Sequence, residues 1–163
     1  MNDYVPDVYK KDVVILGCGN ILFGDDGFGP EVINYLEANY SIPENVCALD
    51  TGTGVREILF DITLSEKKPK KIIIIDAVDV GKIPGELFEI EIDDIPMNKI
   101  DDFSMHQVPT SNLLKELKDS TKVDVSVIAC QVKVIPDIVT MGLSNEIQKA
   151  IPLACEMVME KTL

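Results

Sequence analysis

The sequence is poor in the side chains that most often serve as metal ligands and nucleophiles, since it has one histidine and four cysteines among 163 residues. Cys18, Cys47, Cys130 and Cys155 form no C-x-x-C pair, which excludes a zinc knuckle and a thioredoxin-like redox motif. Isolated cysteines of this kind are typical of buried thiols in a reducing compartment. Any metal site in this chain must therefore depend mainly on carboxylates.

Long apolar runs and an excess of basic residues are also missing. No apolar run approaches the roughly 20 residues that a membrane-spanning helix needs, and residues 1–4 lack the features of a secretory signal. We therefore expect a cytoplasmic protein without membrane contact. The net charge of −13 repels phosphate backbones, so nucleic acid is not an expected partner.

The pattern of apolar residues predicts one domain spanning 1–163, because no repeat or linker divides the chain. The β-branched runs at 13–16 and 72–75 are typical of strands buried on both faces. Weaker strands are predicted at 46–49 and at 123–129, the latter in or near the middle of the sheet. Helical patterns lie between the strands and cover 30–39, 55–63, 111–117 and 144–161.

The segment 87–92 differs from the other strands because it alternates apolar and acidic residues, as a half-exposed edge strand does. It follows the strand at 72–75 after a short link with a Pro84-Gly85 turn, so we expect it to run antiparallel. The strand and helix alternation elsewhere predicts an α/β fold with a mostly parallel sheet covered on both faces. The acidic face of the edge strand disfavours pairing between chains and favours a monomer.

Candidate functional residues follow the predicted strands at their carboxyl ends, where open α/β sheets bind their ligands. The first strand leads into the glycine-rich loop 17–30, which contains Asn20, and the strand at 46–49 leads into Asp50. The strand at 72–75 leads into Asp76 and Asp79. Several carboxylates are therefore expected at one edge of the sheet.

The glycine-rich loop holds two adjacent acids, Asp25 and Asp26, which is one more than a helix cap requires. We expect one of them to cap the following helix and the other to be a ligand. His106 lies in an apparent loop. Two carboxylates and this imidazole form an oxygen and nitrogen set suited to nickel, zinc, manganese or iron, with positions left open for substrate or water.

Three other functional interpretations of these motifs have less support than a metal site. Leu22 stands where a dinucleotide-binding G-x-G-x-x-G loop has its third glycine, and the neighbouring aspartates repel a pyrophosphate. The triplet 50–52, Asp-Thr-Gly, occurs once and within βα alternation, unlike the all-β aspartic proteases. No G-x-S-x-G elbow is present. Cys130 is the best candidate nucleophile, but its strand makes it a plausible core residue.

Three segments, in this order and spacing, closely resemble the hydrogenase maturation endopeptidases: G-C-G-N-I-L-F-G-D-D-G-F-G-P at 17–30, I-I-D-A-V-D-V-G-K-I-P-G-E at 74–86 and S-M-H-Q-V-P at 104–109. They span the first two thirds of the chain. The segment 129–132, Ala-Cys-Gln-Val, departs from the family, because many relatives have a glycine before the glutamine and a proline after it. The resemblance implies a three-layer sandwich with a mixed, mostly parallel five-stranded sheet.

The resemblance also implies an activity, the removal of a C-terminal peptide from the large-subunit precursor of a nickel-iron hydrogenase after nickel insertion. Carried over residue by residue, the metal-binding and catalytic trio is Asp26, Asp76 and His106. The nickel is expected to arrive with the precursor, and other divalent metals are expected to substitute for it. The alternative is a non-enzymatic nickel-binding or docking module in hydrogenase assembly.

The positions of three further residues at the same edge of the sheet predict contacts with substrate. Asn20, Asp50 and Asp79 are expected to line the cleft or to orient the ligands.

Overall fold

A five-stranded sheet forms the centre of the computed structural model, which describes residues 10–90, 92 and 110–163, with the side chains of 110–113 excepted. The strands are β1 (Val13–Cys18), β2 (Val46–Gly52), β3 (Lys71–Val78), β4 (Leu87–Ile90) and β5 (Asp124–Gln131). The helices are α1 (Phe28–Asn39), α2 (Val55–Leu64), α3 (Thr110–Ser120) and α4 (Asn145–Lys161). A 3₁₀ turn at Gly24–Gly27 precedes α1.

The strands are arranged in the order β2-β1-β3-β5-β4, and every pair is parallel except β4 with β5. The predicted mixed, mostly parallel sheet is therefore confirmed. β5 occupies the near-central position that its apolar residues indicate, and β4 is the antiparallel edge strand. The turn before β4 is also where the sequence predicts it, because the Glu86 N–H donates to the Ile83 carbonyl at 2.9 Å and Gly85 has φ +88.

Alternate residues of the strands pack on opposite faces of the sheet, which gives two hydrophobic cores. Ile15 and Ile73 face α1 and α4, whereas Leu16 and Ile74 face α2 and α3. All four of these side chains are at most 2% exposed. The described part of the chain thus forms three layers, with two of its four helices on each face of the sheet. Within the described ranges, no helix has the length and apolar composition needed to cross a bilayer.

Helix α1 starts in direct contact with the sheet because its second residue, Gly29, is a glycine. A Cβ atom on Gly29 would lie 2.2 Å from the Cys18 carbonyl oxygen and 2.7 Å from that of Ile75. No side chain fits such a space. The absence of a Cβ atom thus lets the turn Gly24–Gly27, which carries two aspartates, lie over the carboxyl end of β3.

Candidate functional site

Two of the predicted ligands, Asp26 and Asp76, are brought together at the carboxyl edge of the sheet. Asp26 belongs to the 3₁₀ turn before α1, and its Oδ2 accepts a hydrogen bond from the Asn20 N–H at 3.1 Å. Asp76 lies near the end of β3, and its Oδ1 accepts from the Ala77 N–H at 2.8 Å. Each residue is 4% exposed. The site therefore contains two carboxylates that are nearly excluded from water.

The electrostatics of this pair favour a cation. Burial raises the pKa of Asp76 well above its ordinary value, and the nearby charge of Asp26 raises it further, against the opposing effect of the Ala77 hydrogen bond. Two buried carboxylates thus destabilise each other's charged form. A divalent cation between them would reverse this effect, because it attracts both charges.

The third predicted ligand, His106, lies outside the described residues. Among the residues that are described, no three histidine, cysteine or acidic side chains are grouped closely enough to hold a metal ion. Asp26 and Asp76 supply two oxygen ligands, so a third from elsewhere is required for the predicted set. Membership of His106 in the site stays a prediction.

Asn20 and Asp50, both predicted to meet the substrate, line one small cavity of about 270 Å³ between the ends of β1 and β2. Asp50 Oδ1 accepts from the Gly52 N–H at 2.9 Å, which fixes the backbone at the end of β2. Asn20 Oδ1 accepts from the Leu22 N–H at 3.0 Å. Both side chains are thus held by local bonds, and the cavity between them is open to solvent at the edge that carries Asp26.

Asp79 is placed differently, because it accepts a hydrogen bond from the buried side chain of Gln131. Gln131 is 3% exposed, and its Nε2 donates to Asp79 Oδ1 and to the Val132 carbonyl, both at 3.0 Å. Its Oε1 accepts from the N–H groups of Val80 at 2.9 Å and Lys82 at 3.1 Å. Gln131 therefore fixes the loop after β3, and Asp79 takes part in that bracing. A polar residue at the carboxyl end of a buried strand marks Gln131 as unusual, but the sequence does not show which groups it contacts.

The helix-cap hypothesis for Asp25 and Asp26 is wrong. The residue at the N-cap of α1 is Gly27, and no side chain makes a capping hydrogen bond there. Asp25 is instead fully buried and turned towards residues 133–144. Its partners lie more than a hundred positions away in the sequence, so local pattern could not reveal them.

The cysteines are buried and free, as predicted. Burial raises the pKa of the Cys130 thiol to about 12, with a smaller contribution from the charge of Asp25. Burial also raises the pKa of Cys18 well above its ordinary value, and Asp76 adds to this. Both thiols are therefore protonated at neutral pH, which makes either a poor nucleophile.

An apolar surface surrounds the same edge of the sheet. Ile21 and Leu22, on the glycine-rich loop, are each about two-fifths exposed. Four more apolar residues on the segment after β5 are over half exposed: Val134, Ile138, Val139 and Met141. A cavity of about 450 Å³ between this segment and α1 is lined partly by Ile21 and Met141. Exposed apolar groups of this extent are typical of surfaces that contact another protein.

Comparison with known proteins gives concordant results. Residues 30–161 match the family model described as hydrogenase maturation protease. The chain is 43% identical over 152 residues to a putative hydrogenase maturation protease of Methanocaldococcus jannaschii, covering 92% of this chain and 96% of that one. It is 41% identical over 158 residues to the coenzyme F420 hydrogenase subunit delta of Methanothermobacter thermautotrophicus, covering 94% and 96% respectively.

Among solved structures, the chain is similar to the hydrogenase maturating endopeptidase HybD from E. coli. The TM-score is 0.76 at 25% sequence identity, and the match covers 91% of this chain and 90% of that one. The three-layer arrangement is thus shared with a known endopeptidase.

Proposed function

This chain belongs to the hydrogenase maturation protease family, and we propose that it removes a C-terminal peptide from the large-subunit precursor of a nickel-iron hydrogenase once nickel has been inserted. In this proposal the enzyme acts in the cytoplasm as a monomer. The nickel belongs to the substrate, because it enters the site bound to the precursor.

The proposed recognition step assigns the metal contacts to Asp26, Asp76 and His106. Their two carboxylates and one imidazole complete the coordination of a nickel ion that the precursor's own cysteines already hold. This contact positions the scissile peptide bond at the edge of the sheet. Water then attacks the carbonyl carbon, the C–N bond breaks, and the leaving nitrogen takes up a proton that the water gives up. The substrate's nickel would assist by polarising the scissile carbonyl.

The observation that carries the proposal is the buried pair formed by Asp26 and Asp76. A buried carboxylate pair costs stability, and the raised pKa of Asp76 reflects this cost. Placing two such groups side by side is explained if a cation occupies the space between them during function. Protonated cysteines at the same edge give no alternative nucleophile.

The surroundings of the pair supply the proposed contacts with the precursor. Asn20 and Asp50 line the same open cavity, where we propose that they meet an extended segment of the precursor. Asp79 contributes indirectly, because its bond to Gln131 shapes the neighbouring loop. The exposed apolar residues around the edge supply area for docking a folded protein.

The test compares a nickel-loaded precursor with the same precursor prepared without nickel, using gel mobility and mass spectrometry to follow trimming. The name of the 41% identical relative makes the large subunit of a coenzyme F420 hydrogenase the first precursor to try. We expect trimming of the nickel-loaded form at least about tenfold faster. Equal rates for the two forms contradict nickel recognition. A chain that binds the loaded precursor but leaves it at full length is a carrier or docking module.

A second prediction concerns Cys130. Cys130→Ala is expected to trim the nickel-loaded precursor within about twofold of the natural rate, because a buried thiol that stays protonated takes no part in the chemistry. The measurement is the initial trimming rate, with thermal unfolding recorded to correct for any loss of folded protein. A tenfold loss of rate in fully folded protein would contradict the assignment and identify Cys130 as the nucleophile.

A further inference from the structure

The carboxylate of Asp25 is held by four hydrogen bonds from one distant segment. Its Oδ2 accepts from the N–H groups of Lys133 at 2.9 Å and Val134 at 3.0 Å, and from the Ser144 hydroxyl at 3.0 Å. Its Oδ1 accepts from the Ser144 N–H at 2.7 Å. We call residues 133–144, which connect β5 to α4, the strap. Four bonds to one fully buried carboxylate go far beyond what a surface turn requires.

Backbone contacts join the strap to the same loop a second time. The Gly24 N–H donates to the Thr140 carbonyl at 2.8 Å, and the Thr140 N–H donates to the Leu22 carbonyl at 2.9 Å. These two bonds and those of the Asp25 carboxylate hold Leu22, Gly24 and Asp25 against the strap. The strap is therefore the support against which the turn is held.

Holding Asp25 also determines where the next side chain points. The two acids are consecutive in a 3₁₀ turn, where successive side chains are rotated by about 120° around the axis. With Asp25 fixed towards the strap, Asp26 is directed away from the strap, to the side where its charge acts on Asp76. Its Oδ2 there accepts the Asn20 N–H.

We propose that Asp25 is a positioning residue of this peptidase, whose bonds to the strap fix the rotation of the turn and so hold the Asp26 carboxylate beside Asp76. The inference rests on the proposed function, because it gives Asp25 a purpose only if the Asp26 carboxylate acts there. Asp25 itself does not contact the substrate in this assignment. Its contribution is to keep the turn Gly24–Gly27 in one orientation.

The decisive variant is Asp25→Asn. It places an NH₂ group against N–H donors and so removes some of the hydrogen bonds between residue 25 and the strap. We expect the Asn20 amide proton, which reports on Asp26, to exchange with solvent at least about tenfold faster by NMR. We also expect kcat for trimming to fall by about tenfold or more while KM stays within about twofold. A residue that merely anchors the strap would alter exchange at Lys133, Val134 and Ser144 and leave Asn20 and kcat unchanged.

Two further variants separate position from charge and protect the test against misfolding. Asp25→Glu keeps the negative charge but moves the carboxylate, so it should behave like Asp25→Asn. If its Asn20 exchange rate and its kcat equal those of the natural chain, the inference is overturned.

Ser144→Ala removes one of the four bonds without removing a helix cap, since the Ser144 side chain makes no capping bond. It should fold and give intermediate effects, and natural Asn20 exchange with natural kcat would contradict the proposal.

Failure of the inference is distinguishable from failure of the proposed function. If the natural chain does not trim the precursor, the proposed function is wrong, and the Asn20 exchange rates still decide whether Asp25 positions Asp26. If the natural chain trims the precursor and the Asp25 variants match it in exchange and kcat, only the positioning role is lost.

Discussion

Asp76→Asn should abolish trimming of a nickel-loaded precursor while making the folded protein more stable. The substitution removes one carboxylate of the pair, and we expect the rate to fall more than about 100-fold because metal contacts are worth several kcal/mol in a transition state. Stability should rise because a buried charge and its repulsion with Asp26 disappear. The asparagine Oδ1 still accepts the Ala77 N–H. Initial rates and thermal unfolding midpoints at pH 7 measure the two effects.

The matched control is Asp61→Asn, which makes the same change of charge on an exposed residue of α2. Both its rate and its unfolding midpoint should stay close to those of the natural chain. The combination of lower activity with higher stability is characteristic of residues kept for function. An Asp76→Asn variant that unfolds earlier and still trims the precursor would show that Asp76 is a structural residue.

Gly29→Ala should destabilise the fold by about 3 kcal/mol, because overpacking against rigid backbone is costly. The new Cβ atom would lie 2.2 Å from the Cys18 carbonyl oxygen and 2.5 Å from the Cys18 nitrogen. Relief requires the start of α1 to move away from β1, and the turn with Asp26 moves with it. We therefore expect any folded variant to trim slowly as well. Urea unfolding and precursor trimming are the two measurements.

Gly54→Ala is the appropriate comparison, since Gly54 lies at the start of α2 and the same Cβ atom there would be 3.4 Å from its nearest neighbour, the Thr51 carbonyl oxygen. It should lose little stability, because that distance requires only a slight adjustment. If Gly29→Ala is as stable as Gly54→Ala, the close approach of α1 to the sheet is not required, and the explanation given for the position of Asp26 is wrong.

The fold was predictable from sequence where burial alone dictates the pattern. The isoleucine run of β3 and the apolar and acidic alternation at 87–92 each have one reasonable structural meaning. β3 was placed correctly, and β4 lies within the predicted edge segment but ends at Ile90. The grouping of Asp26 with Asp76 was predictable too, because parallel strands deliver their loops to one edge. These inferences need no knowledge of distant partners.

The roles of the side chains that support the site were not predictable, because they do depend on distant partners. Gln131 and Asp25 have roles that depend on partners far along the chain, and a sequence pattern does not show which backbone N–H groups will face a side chain. The difference between segment 129–132 and the family pattern can likewise be explained only from the structure. Val132, where the family resemblance predicts proline, donates its N–H to the Val78 carbonyl at 3.0 Å, a bond that proline cannot make.

The hydrogen bonds between Asp25 and the strap also determine when, during synthesis, the turn that carries Asp26 can take its final orientation. A chain leaves the ribosome with its N-terminus first, and the donors to Asp25 follow it by 108 to 119 residues. β5, which separates β3 from β4, also arrives late. A nascent chain thus carries both acids of the turn long before it can orient them. The turn that carries Asp26 is therefore held in place only after residues 133–144 have been translated.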